Sequence, residues 1–264
     1  QIFKGDEIEF PEDGYQGEDI KDLAKEYADL NGDSLVNVSA EERKKALVDY
    51  ALPKNIKKMQ ADMEKYKIFY DKWFFESELH KSGAVKAVVD LLTEKGLTYE
   101  KDGAVWYKNK EVLTQKLLKE GKSQKYIDNL ELKDDVLIRQ NGNPTYFTAD
   151  IAYHKNKFDR GFTTLIDVWG ADHHGHVMRM KGAMDAIGYD GDKLNVVLMQ
   201  LVKLVKDGEL VRMSKRTGKA IQLGDLLDEV PVDSARFLFN TKEANTQMDF
   251  DLDLAVKEDN QNPV

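Results

Sequence analysis

The chain has 264 residues, 41% hydrophobic and 33% charged, enough for one large domain or two modest ones with a buried core. A formal charge of −9 and a pI near 5.2 argue against indiscriminate nucleic-acid binding, which needs a basic face. Cysteine is absent, which excludes a disulfide framework and a thiolate metal site. No apolar run approaches the roughly 18 residues of a membrane-spanning helix, and no signal-peptide pattern opens the sequence. The chain starts at Gln1 rather than at a methionine, so it is expected to be a piece of a longer protein.

Residues 2–17 are acidic and turn-rich. Helical periodicity begins at Glu18, where Ile20, Leu23, Ala24, Tyr27 and Leu30 make one apolar stripe, and Asn31-Gly32-Asp33 stops it. Ser39 followed by Glu42 is a capping box, and its helix is expected to reach Leu52, where Pro53 interrupts. The pattern is helical again from Lys54 to Leu79, and its aromatics, Trp73-Phe74-Phe75 among them, read as packing against a neighbouring helix. One more helix is expected over residues 83–95.

The texture then changes. Two short apolar segments, 97–100 and 104–107, flank Lys101-Asp102-Gly103, which predicts a hairpin. Residues 111–134 are polar and lysine-rich and read as a surface excursion or a locally helical insertion. A second hairpin is expected from 135–139 and 145–148, with Asp150 capping a helix from Ile151 to Phe158. A buried strand over 163–169, a helix over 177–187 and a strand over 195–203 follow; that order implies a parallel sheet. Lys206-Asp207-Gly208 turns the chain, and short helices are expected over 223–230 and 233–240.

Two stretches carry groups suited to chemistry. The first is Trp169-Gly170-Ala171-Asp172-His173-His174-Gly175-His176, where a strand ends and a helix opens. Such a junction presents polar groups to a ligand at the carboxyl edge of an α/β sheet. The second is the glycine-bounded basic loop around Arg212-Met213-Ser214-Lys215-Arg216, where lysine and arginine suit phosphate oxygens. Met213-Ser214-Lys215 resembles the Lys-Met-Ser-Lys-Ser signature of class I aminoacyl-tRNA synthetases, with Arg212 in place of the first lysine and Arg216 in place of the last serine.

The resemblance extends in both directions. The segments 143–154 and 167–175, the Met-Ser-Lys loop and Asp249-Phe250-Asp251-Leu252-Asp253 resemble, in order and spacing, the bacterial arginyl-tRNA synthetases. Trp73-Phe74-Phe75-Glu76-Ser77, Asp102-Gly103-Ala104-Val105-Trp106 and Asp13-Gly14-Tyr15-Gln16-Gly17 are similar to that family as well.

The resemblance implies an α/β fold: a partial Rossmann-like catalytic domain, the second half of its parallel sheet, with a mostly helical inserted region. It divides the chain into an insertion over 1–132, the half-domain with its loop over 133–222, and the start of a helical stem over 223–264. It implies that Tyr146 and Asp150 hold the substrate arginine, and that His173, beside the segment Gly170-Ala171-Asp172, lies near that arginine as a polar group. Gly170, Ala171 and Asp172 would meet the adenosine of ATP, whereas Arg212, Met213, Ser214 and Lys215 would meet its phosphates, with Ser214 and Lys215 catalytic. Mg2+ would accompany the ATP. The partners implied are arginine, ATP and tRNA(Arg), for a cytoplasmic, monomeric enzyme. His176 receives no catalytic role.

His173-His174-Gly175-His176 imitates the other class I signature, His-Ile-Gly-His, but that motif belongs far upstream of the Met-Ser-Lys loop. Residues 1–168 hold only His80 and His154, neither in that pattern, so the motif is expected before Gln1 and the fragment is expected to be inactive alone. Two other readings compete. Asp172-His173-His174 spells the signature of metal-dependent DHH phosphoesterases, which need further aspartates on earlier strands. A non-catalytic RNA-binding or scaffold module is the other, and the acidic balance weighs against it.

Overall fold

A computed structural model describes residues 17–211, 221–258, 260 and 262–264, and the chain divides into two compact units. One comprises residues 1–71, 202–243 and 248–264; the other comprises 72–201 and 244–247.

In the first unit, α1 (Glu18–Asn31) is followed by the long α2 (Ala40–Lys65). Ser39 and Glu42 form the expected capping box. Pro53 does not end the helix as its sequence position suggests; α2 runs through it. Asp49, whose carbonyl loses its amide partner to Pro53, lies on the exposed surface, where solvent can reach that carbonyl. The helix expected from Lys54 to Leu79 instead stops at Lys65. Lys67 takes a left-handed φ of 61°, and Ile68 N–H and Lys67 N–H bond back to the Met63 and Glu64 carbonyls. This is a Schellman stop made by lysine rather than glycine, so no glycine announced it.

The rest of this unit is a sheet in the order β7-β6-β8, with β6 (Val202–Lys206), β7 (Glu209–Leu210) and β8 (Met248–Asp251). β6 and β7 join through Asp207-Gly208, both at positive φ, which is the expected turn. The helices α9 (Leu223–Glu229), α10 (Val232–Phe239) and α11 (Leu252–Val256) complete a core around Leu204, Leu227, Val230 and Phe250.

The second unit holds α3 (Glu76–Lys81), α4 (Ala84–Glu94) and an antiparallel sheet β1-β2-β3, made of Thr98–Lys101, Ala104–Tyr107 and Asp135–Ile138. Asp102 and Gly103 both have positive φ, so the first hairpin forms as expected. Between β2 and β3, residues 109–129 are not a surface excursion. They form α5 (Asn109–Lys119) and α6 (Gln124–Asn129), with Leu113, Leu117 and Ile127 buried.

The second hairpin is also corrected. Beyond β3 the return segment makes one isolated bridge, Ile138 to Pro144, and then Thr145 caps α7 (Tyr146–Asp159) through its hydroxyl. Tyr146-Phe147-Thr148 is thus a first helical turn, and Asp150 lies inside the helix rather than at its cap.

β4 (Leu165–Gly170) and β5 (Leu194–Met199) pair in parallel, with α8 (His174–Ile187) as the crossover. The strand expected over 195–203 is therefore two strands, because Gln200 and Leu201 separate β5 from β6. β4 is half-buried rather than fully buried: Leu165 and Asp167 face the core while Ile166 and Val168 are exposed by 68% and 63%. The core combines α4, α7 and α8 with the inner face of this pair through Val88, Leu92, Ile151, Met184 and Leu194. Gly182 on α8 permits close approach of α5, since a Cβ there would lie 2.6 Å from a Leu113 methyl.

Candidate active site

α7, β4 and α8, with the turn between β4 and α8, carry the described candidate residues. β4 ends at Gly170, a 3-10 turn covers Ala171–His173, and α8 starts at His174. Gly170 has ordinary extended backbone; its need is spatial, since a Cβ there would lie 2.5 Å from Asp172 Oδ1. The bare α-carbon lets the Asp172 carboxylate fold back over the strand end. Asp172 and His173 project outward, with side chains 82% and 61% exposed, and stand 3.9 Å apart. The ring of His173 lies 6.5 Å from that of Trp169.

On α7, Tyr146 and Asp150 are four residues apart and share a helix face. The Tyr146 side chain is exposed, and the Arg139 guanidinium stands 6.0 Å from its ring. The Asp150 carboxylate is half-exposed and meets His176 Nε2 at 3.2 Å. The histidine touching Asp150 is thus His176, on α8, and not His173.

Beneath this face lies a buried polar group. His154 Nδ1 sits 2.7 Å from the Asp150 carbonyl, its Nε2 meets Asp167 Oδ2, and Lys157 Nζ lies 2.7 Å from Asp167 Oδ1. Both ring nitrogens face oxygen acceptors. Burial works to raise the Asp167 carboxyl; the His154 hydrogen bond and charge and the Lys157 ammonium outweigh it, and the group stays below its ordinary value. Nearby, Arg179 forks onto Asp135 and covers the Phe147 ring at 4.7 Å. Burial raises the Asp135 carboxyl despite the Arg179 charge.

Of the sequence-derived candidates, Tyr146, Asp150, Gly170, Ala171, Asp172 and His173 are described and lie in one unit. Arg212, Met213, Ser214 and Lys215 lie outside the described residues. His176, His154 and Asp167 were missed as supports. The local signal for His154 was its i+4 spacing from Asp150, whereas His176 lies 26 residues on and no spacing rule reaches it. Among the described residues no three His, Cys, Asp or Glu side chains group to hold a metal ion. No described helix is long and apolar enough to cross a membrane.

Comparisons with known proteins place the chain in a family. The chain is similar to the arginine–tRNA ligases of Ruminiclostridium cellulolyticum, 53% identical over 100% of this chain and 44% of the relative, and of Caldanaerobacter subterraneus, 54% identical over 98% and 43%. It spans less than half the length of these relatives. A solved Campylobacter jejuni structure described as an arginyl-tRNA synthetase superposes with a TM-score of 0.80 at 35% identity, over 99% of this chain and 53% of that one. The Thermus thermophilus arginyl-tRNA synthetase shares the fold, with a TM-score of 0.64 at 18% identity over 92% of this chain and 48% of that one. The family model described as tRNA synthetases class I (R), catalytic domain, matches residues 18–259, and the chain belongs to that family.

Proposed function

We propose that the chain is part of an arginine–tRNA ligase that activates arginine with ATP and transfers it to tRNA(Arg). In this reading Asp150 pairs with the substrate guanidinium and Tyr146 lies against it. A guanidinium favours a planar carboxylate and an aromatic face, and α7 offers both on one exposed surface. Gly170, Ala171 and Asp172 receive the adenosine, with the Asp172 carboxylate accepting from ribose hydroxyls. His173 lies at the border between the two substrates. Arg212, Met213, Ser214 and Lys215 meet the phosphates, and Lys215 neutralises charge as pyrophosphate leaves. Mg2+ enters with ATP as part of the substrate. Residues 133–222 belong to the second half of the catalytic fold, and 223–264 open the helical stem.

One observation carries the reading: a half-exposed, anchored Asp150 carboxylate on the helix whose buried side is hydrogen-bonded to the strand that ends in Gly170. Binding energy here goes into placing two substrates against one another. Because the chain spans about 44% of the length of its relatives, the 264-residue piece is expected to lack charging activity by itself. The test is tRNA(Arg) charging by the full-length protein and by the 264-residue chain. Arginine-specific charging by the former alone supports the reading; charging with another amino acid, or none, contradicts it.

A further inference from the structure

Asp150 is anchored by a residue to which the sequence assigned no role. His176 stands in the first turn of α8 with its side chain only 16% exposed. Its ring is boxed by Trp169, at 5.2 Å between centroids, and by the edge of Phe147, at 5.5 Å and 72°. Arg179 covers the Phe147 ring in turn and is itself fixed to Asp135. The slot therefore leaves the imidazole little freedom.

From it, Nε2 reaches Asp150 Oδ2 at 3.2 Å. An ionised carboxylate offers only lone pairs, so the nitrogen donates. The Asp150 side chain is 44% exposed, and among the described residues its carboxylate hydrogen-bonds to His176 alone. A free aspartate on a helix surface must be ordered when it takes a cation, and that ordering costs affinity. A forked guanidinium is also sensitive to the plane of its carboxylate partner.

We propose that His176 is a positioning residue for arginine recognition: its Nε2–H holds the Asp150 carboxylate in the plane that a guanidinium engages. The proposal rests on the reading of Asp150 as the partner of the substrate guanidinium. His154 does a different job, since it touches the Asp150 backbone and a buried aspartate and leaves the carboxylate alone.

Three variants of the full-length protein separate the possibilities. His176→Phe keeps a flat ring between Trp169 and Phe147 and removes the donor. His176→Gln gives up the ring and keeps a donor. Asp150→Asn tests the underlying reading. The phenylalanine variant is expected to raise the arginine KM about tenfold, with kcat and the ATP KM within about twofold of wild type. The glutamine variant is expected to recover most of that loss. An unchanged arginine KM in His176→Phe overturns the proposal, as does a glutamine variant no better than phenylalanine. A fall in kcat or a rise in ATP KM as large as the arginine effect marks general damage and overturns it too. If Asp150→Asn leaves the arginine KM unchanged, the reading of Asp150 fails; if that variant is impaired and His176→Phe is not, the positioning role alone fails. Should His176→Phe not fold, nitrogen NMR of the wild-type imidazole decides: hydrogen on Nε2 is expected at neutral pH, and a ring protonated on Nδ1 alone overturns the role.

Discussion

His154 on α7 and Asp167 on β4 are joined through a buried hydrogen bond between Nε2 and Oδ2. That contact ties the helix carrying Asp150 to the strand that ends at Gly170. Lys157 completes it from the next turn of α7. The proposed arginine and adenosine sites thus share one buried polar support, and its loss is expected to be felt in both.

Asparagine at 167 keeps one acceptor oxygen but removes the charge that both His154 and Lys157 face. Asp167→Asn is expected to lower stability by about 3–5 kcal/mol, read from urea unfolding. The pH dependence has a definite sign. The Asp167 carboxyl lies below its ordinary value in the folded chain, so its contribution is fully present above the unfolded aspartate value of about 3.9 and is lost as pH falls through the folded one. Stability of the wild-type chain is expected to decline in acid below about pH 4, with a shallower decline in Asp167→Asn. Parallel acid profiles would contradict the assignment.

The parallel pair β4-β5 has one packed face and one open face, and the two should answer differently to truncation. Leu194 is fully buried, and Leu194→Ala is expected to cost about 2–5 kcal/mol. Val168 is 63% exposed, and Val168→Ala is expected to stay within about 0.5 kcal/mol in the 264-residue chain. Equal losses in thermal unfolding would count against this division of the faces.

Gly170 tests the strand end. A methyl group there meets Asp172 Oδ1, which is the tip of a movable side chain, so the fold should survive while the carboxylate shifts. Gly170→Ala is expected to melt within a few degrees of wild type and to raise the ATP KM several-fold, leaving the arginine KM near wild type. An unchanged ATP KM would remove Asp172 from the nucleotide site.

Lys215 lies outside the described residues, so its role stands on the Met-Ser-Lys resemblance alone. In the full-length protein Lys215→Ala is expected to depress kcat far more than it raises the arginine KM, because its charge matters most as pyrophosphate leaves. The reverse pattern would place it elsewhere.

Much of this was legible in residue order, for local reasons. Asp102-Gly103 and Asp207-Gly208 supply the positive φ their turns need, and the Ser39–Glu42 box marks where α2 begins. What failed was also local. Lys67 ends α2 in a conformation usually given to glycine, and Pro53 sits in a helix with no buried residue, where the freed carbonyl is open to solvent. Thr145-Tyr146-Phe147-Thr148 has the composition of a strand, yet the Thr145 hydroxyl caps a helix there. The assignment of Tyr146 and Asp150 to arginine rests on the family resemblance. The supports behind them were not: Asp150 with His176, and His154 with Asp167, meet only when three elements pack, and no spacing in the chain encodes that.

In the proposed function Asp150 is the carboxylate that recognises the arginine side chain. Its most direct test is the arginine KM of Asp150→Asn in tRNA(Arg) charging by the full-length protein. The substitution keeps the size of the side chain and removes its charge, so the arginine KM is expected to rise at least about tenfold with the ATP KM unchanged. An arginine KM equal to that of the wild type would rule Asp150 out as the partner of the substrate guanidinium.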